Sequence, residues 1–171
     1  MEPRKINKKR RITINIIMTI LVVALVLAFF FSCVKITSKG VIEVPKDLAL
    51  FDYLYSKDVW LIISFIFSIT TIFSGILLIV FTALEVTGVF SHNKYKDVVG
   101  IIIIVSSILA LVFTLIYCAI NTPFSTNTET NSLKFIPYAG IYIIYLCGFG
   151  SGILTLLDSP VLRDDYKDKT K

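Results

Sequence analysis

Apolar and polar positions segregate into long blocks along this chain instead of alternating. Four runs without Asp, Glu, Lys, Arg or His occupy 12–34, 59–84, 98–120 and 135–157, each 23–26 residues long. A hydrocarbon core about 30 Å thick needs about 20 helical residues, so each run is long enough to cross it, the second with some tilt. In lipid the backbone must satisfy its own hydrogen bonds, which predicts helix in every run despite the many β-branched Ile, Val and Thr. The expected fold class is an all-α integral membrane protein, an antiparallel bundle of four transmembrane helices over 12–157. A basic segment, 1–11, precedes it and a charged tail, 158–171, follows.

Within the runs, small and hydroxylated residues recur at helical spacing. The second run carries Ser64, Ser68, Thr71, Gly75, Leu78 and Thr82 at alternating steps of four and three. The third carries Gly100, Ile103, Ser107, Ala110, Thr114 and Tyr117. The fourth carries Ile141, Ile144, Gly148, Ser151 and Thr155, with Gly152 four residues after Gly148. Membrane helices pack through such stripes, because small residues admit close backbone approach while apolar bulk favours a neighbour no more than lipid. Ser64, Ser68, Thr71, Gly75, Gly100, Ser107, Ala110, Gly148 and Gly152 are therefore the expected helix-packing positions.

The segment between the first two runs, 35–58, is the largest polar piece. Alternation over 34–37 and 41–44, around Ser38, Lys39 and Gly40, predicts a short β-hairpin that Pro45 ends. Beyond it, Leu48, Phe51, Leu54 and Tyr55 share one face at helical spacing. They predict a short amphipathic helix on the outer leaflet and form the expected partner surface.

Composition sharpens this picture. Hydrophobic residues make up 56% and charged residues 17%, against about 45–50% and about 25% in ordinary soluble domains, which excludes a soluble enzyme or a disordered tail. The net charge of +5 raises the question of nucleic acid, and its placement answers it. Twelve Lys and Arg against seven acids lie in the N-terminus, the 85–97 loop and the tail; five against five lie in the other two loops. This asymmetry orients a membrane protein with both termini in the cytoplasm, the plasma membrane being the expected location. A basic start before an apolar run also describes a signal peptide, but 23 residues is long for one and no small-x-small site follows. Phe30, Phe31, Ser32 and Cys33 faintly resemble a lipoprotein processing site, with two Phe where an aliphatic and a small residue belong.

Candidate chemistry is sparse. No ionisable residue lies inside a run, and Glu85 and Asp158 flank inner ends where they are expected to reach water. Gly148, Phe149, Gly150, Ser151 and Gly152 look like a serine nucleophile in a glycine-rich turn, but no run contains a His to act as base. His92, in the 85–97 loop, has no ligand partner nearby. Cys33 and Cys118 fall at similar depth, where a disulfide is one option, and Cys147 sits mid-run. No cofactor, metal or small-molecule substrate is expected. The expectation is a non-enzymatic structural or accessory subunit of a membrane complex, contacting lipid and a membrane-protein partner or a second copy. The alternative is a small oligomeric transporter or pore subunit with a hydroxyl-lined pathway.

Overall fold

The computed structural model describes residues 3–39, 47–87, 94–122 and 132–158. In chain order these form helix α1 (Pro3–Leu27), a 3-10 turn (Ala28–Phe30), strand β1 (Ser32–Lys39), strand β2 (Leu48–Ala49), and helix α2 (Asp52–Tyr55). Then come helices α3 (Val59–Val86) and α4 (Lys94–Asn121), strand β3 (Ser132–Pro137) and helix α5 (Ala139–Asp158). The chain is mostly helical, and four segments are long and apolar enough to cross a membrane: Ile12–Phe30, Val59–Val86, Tyr95–Asn121 and Ala139–Asp158.

The four long helices alternate in direction. α3 packs on α4, α4 on α5 and α5 on α1, while α1 meets α3 over a shorter stretch. Their outer faces carry exposed Ile16, Ile20, Ile66, Phe73, Val105 and Leu146. One end of the assembly is closed by a three-stranded antiparallel sheet of order β2-β1-β3. At that end Leu25, Cys33, Leu50, Tyr53, Leu61, Tyr117 and Ile141 are buried in one cluster. A smaller cluster, Met18, Leu78, Val99 and Ile103, lies toward the opposite end.

Two of the apolar runs end differently from expectation, and the sheet is the reason. Residues 32–34 are strand, not helix: the chain leaves the 3-10 turn through an extended Phe31 (φ −92°, ψ 148°) and enters β1. Residues 135–137 are strand as well. Pro137 has no N–H for a helix ladder and disfavours helix in the residue before it, so α5 starts only at Ala139. β1 and β3 pair in register from Val34 opposite Pro137 to Lys39 opposite Ser132, and Tyr138 N–H donates to the Cys33 carbonyl at 2.8 Å. The predicted hairpin partner, 41–44, lies outside the described residues; the partner seen for 34–39 is β3.

The amphipathic helix is also shorter than expected. Leu48 belongs to β2, half-buried, and α2 is a single turn. Carboxylates hold this region: Asp47 accepts from Ile36 N–H at 3.0 Å, and Asp52 from Ala49 N–H at 2.8 Å. Asp58 then caps α3 by accepting from Trp60 N–H at 2.9 Å, filling one donor that a helix start leaves unsatisfied. Leu50 and Tyr53 turn inward, completely buried, which leaves Phe51, Leu54 and Tyr55 facing out.

Candidate functional site

All nine small residues singled out by spacing are buried: Ser64, Ser68, Thr71 and Gly75 on α3, Gly100, Ser107 and Ala110 on α4, and Gly148 and Gly152 on α5. The structure gathers most of them in a polar seam where α3, α4 and α5 meet, whereas Gly75 faces Val22 and Leu25 of α1 and Ser68 Oγ is buried without a hydrogen-bond partner among the described residues. Ser64 Oγ donates to the Ala110 carbonyl at 2.9 Å and lies 2.7 Å from Thr114 Oγ1. Thr71 Oγ1 lies 2.7 Å from Ser106 Oγ, a residue that the spacing did not single out. Ser107, Ser151 and Thr155 donate to carbonyls of their own helices at 2.8–2.9 Å. Ser151, the residue of the apparent nucleophile motif, thus directs its hydroxyl to the Gly148 carbonyl. The glycines set the spacing between helices. A Cβ at Gly152 would stand 2.5 Å from Ile104 Cγ1 and 2.7 Å from the Gly100 carbonyl; one at Gly148 would stand 2.7 Å from Thr71 Cγ2.

At the end away from the sheet, the structure overturns one reading of the sequence. Glu85 and Asp158 do not face water. Lys96 Nζ reaches Glu85 Oε2 at 2.9 Å and Asp158 Oδ2 at 3.3 Å, with side-chain exposures of 3% for Lys96, 8% for Glu85 and 3% for Asp158. Each charge sits at the wrong helix terminus. The carboxylates are at the negative C-terminal ends of α3 and α5, and the ammonium is in the first turn of α4, where acids are favoured. Their mutual pairing offsets this and ties three helix ends together. Taking charges out of water costs several kcal/mol per ion, so the arrangement holds only as a set. The sequence did carry a signal for it: Glu85 and Asp158 directly abut apolar runs at the same end, and Lys96 stands two residues before the third run.

The same end holds a cleft of about 540 Å³ between α1 and α3, lined by Ile12, Asn15, Thr19, Thr82, Ala83 and Val86 among others. The side-chain oxygen of Asn15 is out of contact with solvent and has no hydrogen-bond partner among the described residues.

At the sheet end, the residues expected as a partner surface split. Leu48 packs partly against the core. Phe51, Leu54 and Tyr55 are exposed, the last by 73%, and Phe51 contacts Phe29 and Tyr55 with ring centroids 6.3 and 5.4 Å apart. Beneath them Cys33 is fully buried and its thiol is pushed up to about 12, chiefly by desolvation, which the Tyr53 hydroxyl and Leu50 backbone offset in part. Burial likewise raises the Tyr53 phenol well above its ordinary value. Cys33, Cys118 and Cys147 are all free thiols, so the Cys33–Cys118 bridge left open by the sequence is not formed. Gly140 is required here by close approach: a Cβ would lie 2.7 Å from Cys33 Sγ and 2.8 Å from the Phe31 and Ser32 carbonyls. His92 and the tail lie outside the described residues, and among those described no three His, Cys, Asp or Glu side chains gather. In comparison with known proteins, the chain matches no family model, no curated protein and no solved structure.

Proposed function

We propose that this chain is a multi-pass protein of the cell membrane with both termini in the cytoplasm, acting as a non-enzymatic structural or accessory subunit of a membrane complex. The observation that carries this reading is how the polar seam is used. The hydroxyls of Ser64, Thr71, Ser106 and Thr114, which could line a pathway, are committed to one another or to neighbouring carbonyls between α3 and α4; Ser68 Oγ is buried among them without a hydrogen-bond partner among the described residues. The described cleft lies between α1 and α3 and is lined by neither α4 nor α5. The exposed apolar group over the sheet end, Phe51, Leu54 and Tyr55, is the surface offered to a partner.

The test is crosslinking in native membranes followed by purification of the full chain. A membrane protein should co-purify in fixed stoichiometry and be lost from a Leu54→Ser/Tyr55→Ser variant, while liposomes containing the chain pass no more solute than empty ones. Solute flux through those liposomes, with no stoichiometric partner, would favour the pore reading instead.

A further inference from the structure

The cleft between α1 and α3 has the size of a ligand site and the wrong lining for a polar ligand. Its volume of about 540 Å³ falls within the range of about 300–1,000 Å³ typical of such sites. Thr19, Thr82 and Thr87 line it, yet each donates its hydroxyl to a carbonyl of its own helix, at 2.8, 2.8 and 3.1 Å. Apart from Asn15, whose side-chain oxygen is buried without a partner among the described residues, the walls therefore offer hydrocarbon along the stretch from Ile12 to Ile20, about 12 Å of helix.

The end of the cleft nearest the N-terminus is different. α1 continues without a break to Pro3, and this extension carries Arg4, Lys5, Lys8, Lys9, Arg10 and Arg11 with no acid among them. Helical spacing sets Arg4, Lys8 and Arg11 on the same face as Asn15 and Thr19, which line the cleft. The neighbouring acid on α3, Glu85, is already ion-paired to Lys96. An elongated apolar slot thus leads directly to a concentrated positive charge. A second copy of the chain would fill the slot but bring six more like charges to the same place.

We propose that the cleft holds a resident anionic phospholipid, one acyl chain between α1 and α3 and the phosphate headgroup against the basic extension of α1. This rests on the reading that the four apolar helices span a bilayer. The test uses the full chain purified in detergent, titrated with dioleoyl phosphatidylglycerol or dioleoyl phosphatidylcholine and read by native mass spectrometry. The two lipids share acyl chains, so their difference reports the headgroup. Phosphatidylglycerol should bind more tightly, and Lys8→Gln/Arg11→Gln should weaken it roughly thirtyfold while leaving phosphatidylcholine unchanged. Ala83→Phe, at an exposed position on the cleft wall, should weaken both lipids. Val86→Trp repeats that test at a second exposed position should Ala83→Phe fail to fold.

Equal binding of the two lipids, or phosphatidylglycerol retention untouched by either filling variant, would overturn the proposal. A dimer abolished by those variants would give the cleft to a second copy. Failure of the chain to float with phosphatidylcholine liposomes would instead remove the membrane reading on which the proposal stands.

Discussion

Gly150 and Gly152 sit two residues apart on α5 and meet opposite circumstances. A Cβ at Gly150 would find only the flexible Leu21 Cδ1, at 3.3 Å, whereas at Gly152 it would meet the Gly100 backbone carbonyl at 2.7 Å. Any gain in helix propensity from Ala is common to the two sites, so their difference isolates the packing. Gly152→Ala should unfold more readily than Gly150→Ala by about 1–3 kcal/mol, the range for overpacking a tight contact, as measured by thermal melts in detergent. Equal stability would mean that α4 and α5 part without cost. The residue scale also fixes an alkaline limit. Below the ordinary thiol value of 9.0, Cys33 is protonated in both folded and unfolded chains and its contribution is complete. As pH rises from 9.0 toward about 12, the unfolded thiol ionises while the folded one holds its proton, and that contribution is lost. Cys33→Ala should flatten part of the stability loss across this window, Tyr53 supplying another part in the same direction. A melt-versus-pH profile unchanged by the substitution would refute it.

Among the elements, the buried ion set divides stabilising contacts from those that only become costly when broken. Lys96→Met leaves Glu85 and Asp158 buried at helix C-termini without their shared cation. This should cost about 3–5 kcal/mol by chemical unfolding, the cost of breaking a buried pair. The triple variant Glu85→Gln/Lys96→Met/Asp158→Asn removes every charge at once and should recover most of that loss. If the triple variant is no better than the single one, the three side chains act by shape and not by charge. What the sequence reveals at this scale follows the range of the interaction. Ser64, Ser68 and Thr71 repeat within one helix, so their common face is legible from spacing alone, and all three are buried. Ser106 lies off its helix's stripe; besides the Ile103 carbonyl of its own helix it meets Thr71 across the interface, a contact that spacing within α4 does not reveal. Similarly, β1 finds its partner about a hundred residues away in β3, a pairing that no local pattern encodes. The ends of the first and fourth apolar runs depart from the helical expectation for the same reason: residues 32–34 and 135–137 continue the apolar runs but belong to the sheet.

At the scale of the whole molecule, charge and burial divide the chain along one axis. The apolar side chains exposed on the long helices form the middle, the sheet closes one end, and the ion set closes the other. The chain's excess of positive charge belongs to the ion-set end, where α1 begins and α5 finishes. The positive-inside rule acts on this excess during insertion, so it predicts that the sheet end is translocated and the ion-set end retained. Single cysteines test both ends against each other: Ser91→Cys between α3 and α4, and Thr128→Cys between α4 and α5. In intact cells, a membrane-impermeant maleimide should label Thr128→Cys and spare Ser91→Cys until the membrane is permeabilised. Native thiols set a low background, since Cys33 and Cys118 are buried and Cys147 is half-buried in the middle of α5. The reverse pattern would place the basic extension of α1 outside, far from the anionic cytoplasmic leaflet. The orientation would then have to come from something other than charge. Replacing Arg10 and Arg11 by Gln gives the sharper form of the test. If these cations help retain the N-terminus, labelling of Ser91→Cys in intact cells should rise in their absence, because two of the twelve retaining charges are gone.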